Sequence, residues 1–369
     1  MNDFNGTAAP SYWLLLCALS LLACNAGSGL LEAGSAQPRN AMNAAFKSFL
    51  ASLIPPAAFF LLGVTISDWP LSRPSSTSAR ILLSADLVLA GGILSRILSE
   101  RIRLQPFVIA LLALCAILLP LGLALEQFAW IFQSPHRDDG HLGLISATAA
   151  AFALSHRFAT PAILGQSEKA PANLAQAAEG ALLVCCAWIA AALGSAPSFE
   201  DASRIFVSLL VSAGASSSVL LFGSWVGSGI APAKALLRSG IAGILAAAPM
   251  ASSLTPPWAA FMGVVGAFAC TGLGRIMDRH KLDDAWGASS LHLGAGMAGL
   301  LGAAFWPAQH AGPSTSSIAL QVGVTLVCLA SALLAGMAFW ATLGMLIRLD
   351  LSPDERETGL DFTEHGHPS

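Results

Sequence analysis

The chain has 369 residues, 55% of them hydrophobic and only 11% charged, with a formal net charge of -3. Soluble domains carry about 25% charged residues, so this deficit excludes an ordinary soluble domain and indicates an integral membrane protein. The small net charge also argues against a nucleic-acid partner.

The N-terminal stretch "MNDFNGTAAPSYWLLLCALSLLACNAGSGLLEAG" has neither the basic start nor the clear cleavage site of a secretory signal. It is expected to form the first span. Apolar runs long enough to cross about 30 Å of hydrocarbon lie near 12–33, 46–67, 81–99, 105–127, 141–155, 175–194, 204–224, 239–254, 257–276, 286–306 and 317–347. A bilayer admits only helices or a closed barrel, and runs of this length predict helices. The stretch 223–240, "GSWVGSGIAPAKALLRSG", is expected to be a loop. The expected fold is therefore an all-α polytopic membrane protein of about 11 transmembrane helices. Residues 1–348 form the membrane domain and 349–369 a short tail.

An odd span count puts the termini on opposite sides of the membrane. With the N-terminus outside, one set of loops holds thirteen basic residues, from Arg39 and Lys47 to Arg348 and Arg356. The other set holds four: Arg73, Arg80, Arg137 and Arg204. The positive-inside rule then predicts N-out, C-in, with Arg96 left over inside a span.

Five spans per half suit an inverted repeat, with the eleventh helix added at the end. Spans five and ten would then be antiparallel counterparts. Each follows an acidic pair and carries "HLG": "DDGHLG" from Asp138 and "DDAWGASSLHLG" from Asp283.

Catalytic and metal chemistry find no support. The seven cysteines lie within apolar runs without metal-ligand spacing, and read as small apolar helix residues. "GSGI" and "GLGR" lack the strand–helix context of a nucleotide loop. No enzyme signature, cofactor or metal site is expected. His156, His280, His310, His365 and His367 lie at span ends or in the tail, where solvation is expected.

Several stretches together resemble the ammonium transporter family, which comprises the Amt, Mep and Rh proteins. "LLEAGSAQPRNAMNAAFKSFL" resembles its first-span exit, and "SERIRLQPF" the loop after its third span. "ANLAQAAEGALLVCCAWIAAALGSA" resembles the sixth span, and "DDAWGASSLHLGAGMAGLLG" the tenth. "LSPDERETGLDFTEHG" resembles the cytoplasmic tail of the Amt/Mep branch. The resemblance implies a homotrimer in the plasma (cell inner) membrane with a narrow apolar pore in each subunit. It implies passage of ammonium or ammonia, and a PII-type signal protein at the cytoplasmic face. An ammonium sensor that conducts poorly, or a transporter of another small amine or neutral solute, fits the same fold.

The family carries twin histidines at mid-pore, a vestibule that recruits ammonium and an aromatic gate. His292 fits the second histidine. Counting back from Arg157 makes His141 its partner. Counting forward from the acidic residues gives Ser146 instead, because His292 follows Asp284 by eight positions and Ser146 follows Asp138 by eight. Both alternatives stand at this point. Facing imidazoles suit the task, since each ring nitrogen donates or accepts a proton. Asp138 and Asp284 are expected to be structural acids.

The entrance departs from the family. Its gate-side aromatics fall on Leu82 and Asp86, while Ser195 keeps the recruitment hydroxyl. Trp130 is a candidate vestibule indole for a cation–π contact, and Trp188 is placed with the entrance residues. Asp86, an acid inside a helix, either faces the pore or pairs with Arg96 or another polar partner.

Overall fold

A computed structural model describes residues 11–67, 77–127, 137–159, 171–282, 284–306 and 315–367. Among these residues the regular elements are helical, apart from one isolated bridge between Ile102 and Asp350. Lipid offers the backbone no hydrogen-bond partners, so each crossing segment must satisfy its own N–H and C=O groups. In chain order α1 spans Ser11–Ser35, and α2 starts as Ala41–Ala58 and continues to Ser67. Helix α3 is Thr77–Leu98, and α4 starts as Leu104–Ala113 and continues to Gln127. Next come α5 (Leu142–Ala159), α6 (Leu174–Gly194), α7 (Phe199–Ser228) and α8 (Ala233–Ala247). They are followed by α9 (Pro256–Arg279) and α10, a π segment Ser290–Ala295 that runs into Gly296–Ala303. Helix α11 is Thr315–Leu346, and the short helices α12 (Pro353–Thr358) and α13 (Leu360–His365) build the tail.

Nine of the described helices are long and apolar enough to cross a membrane. Helix α10 counts only as a shorter apolar helix, Ser290–Ala303, and α5 is not among the nine. The expected total of about eleven rests on adding these two. Leu61, Leu182, Val226 and Met345 stand exposed on the outside of the bundle, the surface that hydrocarbon would cover.

The loop expected over 223–240 shrinks to four residues, 229–232. Gly229 takes a left-handed conformation (φ 74°) and closes α7, while Pro232 precedes the first turn of α8. Glycine tolerates that conformation without a Cβ clash, and proline suits a helix start but not an interior. Both helices therefore reach into the stretch read as a loop.

Small residues allow a close helix crossing. A Cβ on Gly180 would lie 2.3 Å from the backbone nitrogen of Leu31, and one on Gly27 would lie 2.3 Å from Cβ of Leu183. Helices α1 and α6 thus touch backbone to backbone. In lipid, where apolar burial drives little association, such contact supplies the packing energy.

The tail folds back on the chain's own helix ends. Asp361 accepts hydrogen bonds from the backbone nitrogens of Met42 (3.1 Å) and Asn43 (2.7 Å) in the first turn of α2. Asn40, at the N-cap position of that helix, makes no cap bond of its own. Its Oδ1 instead accepts from Leu360 N at 2.8 Å. Arg103 pairs with Glu355, and Arg39 donates to the carbonyl of Glu357 at 2.5 Å. A carboxylate at a helix N-terminus also meets the positive end of its dipole.

Two histidines expected in solvent are packed instead, and a loop cation is buried. His156 is fully buried, edge-on to Trp340 with its Nε2 3.5 Å from Asp350. His365 packs against Phe46 and lies 3.0 Å from Asn43 Nδ2. Lys47 is buried, with Nζ donating to the carbonyls of Ser99 and Ile102 at 2.6 Å each. There it caps the end of α3. His310 lies outside the described residues.

Candidate functional site

The acidic residues ahead of α5 and α10 perform the same task. Asp138 accepts from Gly143 N at 3.0 Å and from Leu144 N at 2.7 Å. Asp284 accepts from Ser289 N at 2.7 Å and from Ser290 N at 3.1 Å. In both cases the donors lie five and six positions downstream. Each acid therefore satisfies two of the otherwise orphaned N–H groups at a helix start.

The connecting turns match residue by residue. Gly140 (φ 70°) corresponds to Trp286 (φ 51°), and His141 (φ 59°) to Gly287 (φ 71°). Asp283, beside this turn, lies outside the described residues.

This correspondence fixes the partner of His292. Ser146 Oγ lies 3.2 Å from Nδ1 of His292 and 3.2 Å from its carbonyl oxygen. The two residues are 146 positions apart, the same offset that relates Asp138 to Asp284. His141 sits in the turn before α5, where Gly287 sits before α10. The shared "HLG" is thus out of register with the structural repeat. Counting from the acids finds the facing residue, because backbone capping sets where each helix begins.

His292 is buried within the π segment of α10. A π turn shifts the backbone ladder by one residue and commonly marks a functional position. One hydroxyl proton cannot serve two acceptors. Both contacts are satisfied when Ser146 donates to the carbonyl and accepts from Nδ1–H. The other ring nitrogen, Nε2, is then an acceptor. The Trp188 ring lies 5.9 Å from the imidazole, tilted by 31°. Trp188, grouped with the entrance residues from the sequence, therefore packs beside His292.

Next to His292 and Trp188 lies a cavity of about 20 Å³, also lined by Asn25, Ser28, Glu32 and Arg96. It has room for one water-sized molecule. A second cavity, of about 10 Å³, is lined by Ser35, Ser99, Glu100, Trp286 and again by Glu32 and Arg96. Glu32 is buried, accepting from Ser48 Oγ at 2.9 Å and Ser95 Oγ at 2.5 Å. Asn25 donates to Ser52 and accepts from Ser28, each at 3.1 Å. A polar seam thus runs along α1, α2 and α3 on the tail side of His292.

On the opposite side, Leu82 and Asp86 occupy successive turns of α3 and both are buried. Leu82 sits over Gly194, where an added Cβ would meet its Cδ2 at 2.4 Å. Ser195 ends α6, donates to Ala192 O at 2.7 Å, and borders the turn at Gly140. Oδ1 of Asp86 has no hydrogen-bond partner. Asp86 does not pair with Arg96: the two lie ten positions apart on one helix, about 15 Å along its axis. Trp130 lies outside the described residues. Among the described residues, no cluster of metal-ligating side chains forms.

Sequence reasoning left Arg96 and Glu32 out of the site. The available signal was Arg96 itself, a cation stranded within an apolar run, where such residues are costly and commonly functional.

Comparison with known proteins places this geometry in a family. The chain is 23% identical over 405 residues to "Ammonium transporter Amt2" of Archaeoglobus fulgidus, covering 96% of this chain and 86% of that one. Its fold is similar to that of a "Sensor Amt Protein" (TM-score 0.86, 19% identity, 96% of this chain and 98% of that one). It is also similar to Saccharomyces cerevisiae Mep2 (TM-score 0.79, 17% identity, covering 96% and 92%). The model of the Ammonium Transporter Family matches residues 12–369, and the chain belongs to that family.

Proposed function

We propose that the chain recruits ammonium at its outer face and passes ammonia through the cytoplasmic membrane past His292. The observation that carries this reading is the buried His292–Ser146 pair at the head of a water-sized cavity. A charge at the centre of a bilayer costs several kcal/mol, so a path of this kind favours the neutral form. Asp86, His141, Leu82 and Ser195 form the entrance. The buried, unpartnered oxygen of Asp86 attracts a cation to that end, and His141 accepts or returns its proton. With Nε2 free as an acceptor, His292 receives an N–H of the incoming molecule.

The loop charge asymmetry supports N-out, C-in. The tail then lies in the cytoplasm, where its exposed Asp354 and Glu357 would be within reach of a PII-type partner. The reading takes the assembly to be a homotrimer, as the resemblance implies.

Proteoliposomes loaded with a pH dye test the reading. An ammonium pulse should alkalinise the lumen in wild type, with the rate falling at least about tenfold in His292→Ala, as when a buried polar contact is lost. A wild-type rate no faster than that of empty vesicles would sink the transport reading, and equal rates in the two proteins would remove His292 from the path. A second reading, an ammonium sensor, is favoured by the two buried charges on α3 flanking His292 and by the likeness to the "Sensor Amt Protein". It predicts saturable ammonium binding, lost in Asp86→Asn, without flux.

A further inference from the structure

Arg96 is buried near the tail-side end of α3, with Nε and Nη2 lacking any hydrogen-bond partner. Its guanidinium carries a positive charge at any physiological pH. Buried guanidinium groups normally spend their donors on carboxylates or carbonyls, yet Glu32, which lines the same cavities as Arg96, accepts from two serines and not from it. Both oxygens of Glu32 are held by Ser48 and Ser95, and Asp284 spends its oxygens on the start of α10.

The position of Arg96 gives that charge a consequence. The cavity beside His292 and the one beside Ser99, Glu100 and Trp286 share only two lining residues, Glu32 and Arg96. The first cavity opens towards the imidazole, the second towards the end of the bundle where the tail docks. The Arg96 side chain is therefore part of the wall between them. Anything that passes His292 and leaves on the tail side meets this cation next.

We propose that Arg96 is an electrostatic plug that bars the ammonium ion, and other small cations, from the tail-side exit while leaving neutral ammonia uncharged for passage. This rests on the reading of His292 as the pore centre. A structural role alone would put the guanidinium donors on Glu32, and they are not there. The plug also gives the two charges of α3 a division of labour: Asp86 gathers cations on one side of His292, and Arg96 refuses them on the other.

Ammonium-evoked current and luminal alkalinisation, recorded on the same proteoliposomes, test the plug. Arg96→Gln keeps a polar side chain without the charge, Arg96→Met keeps the volume, and Arg96→Lys keeps the charge. Wild type and Arg96→Lys should carry no ammonium-evoked current above empty vesicles. Arg96→Gln or Arg96→Met should raise it by about tenfold or more, the scale expected on removing a nearby like charge. Size-exclusion elution and the melting midpoint identify variants that fold. The plug is overturned if wild type carries as much current as a folded neutral variant, or if neither neutral variant gains current. These outcomes are independent of the His292 comparison: alkalinisation unaffected by His292→Ala removes the pore-centre reading, whereas unchanged current in both neutral variants removes only the plug.

Discussion

Replacing Asp284 with alanine would remove the cap that sets where α10 begins, and with it the position of His292 eight residues on. Each carboxylate oxygen of Asp284 accepts one backbone N–H, from Ser289 at 2.7 Å and Ser290 at 3.1 Å. Both donors are buried. Hydrogen bonds to a charged group contribute about 1.5–3 kcal/mol each, giving about 3–6 kcal/mol for the pair. A water molecule entering the vacated space would recover part of this, so about 3 kcal/mol is the expected loss. For a chain of this size that corresponds to a melting midpoint lowered by roughly 5 °C. Thermal unfolding in detergent, followed by near-ultraviolet circular dichroism, measures the shift. Asp138→Ala should lose a similar amount, because its two bonds at 3.0 and 2.7 Å are equivalent. Midpoints within about 1 °C of wild type in both variants would refute the claim that these acids hold the two helix starts.

Gly296→Ala should disturb the site directly, since its new Cβ would lie 3.1 Å from Ser146 Oγ and 3.3 Å from Ser146 Cβ. We expect a loss of about 1–3 kcal/mol from the overpacked contact and slower luminal alkalinisation; a wild-type rate would refute it. Asp361→Ala should free the tail by removing two cap bonds, at a cost of about 0.5–2 kcal/mol. Limited proteolysis should then cut after α11 faster than in wild type. Acid should release the tail as well. Glu355 titrates below its ordinary 4.5: partial burial pushes it up, but hydrogen bonds from the Ser352 backbone and from Arg103 outweigh this. A carboxylate depressed by folding stabilises above its unfolded pKa, and that contribution fades as pH falls from about 4.5 through the lower folded value. Tail protection from an acid protease should accordingly weaken across that window, and less so in Glu355→Gln.

The membrane class was readable from composition and run length, because a bilayer demands long apolar helices and the chain has few charges to misplace. The first-span exit and tail motifs were legible through the family resemblance, whereas the bonds that Asn40 and Asp361 make between them join residues far apart in the chain and came from the tertiary structure. Asp138 and Asp284 also announced where α5 and α10 begin. Counting from them leads to Ser146, whereas the matching "HLG" points to His141, one turn too early. Letters repeat by chance, but Asp138 and Asp284 each hold backbone nitrogens of the first turn that follows them. Other features depended on which helices meet. No local rule places Trp188 of α6 against the imidazole of α10, or packs His156 under Trp340. Arg96 was visible as an oddity within an apolar run, yet its role depends on where its side chain points. Only the tertiary structure occupies both oxygens of Glu32 with serines, leaves Nε and Nη2 of Arg96 without partners and sets the guanidinium between two cavities. Such long-range packing decides which polar groups find partners, and the unpaired ones are where this chain's function is argued.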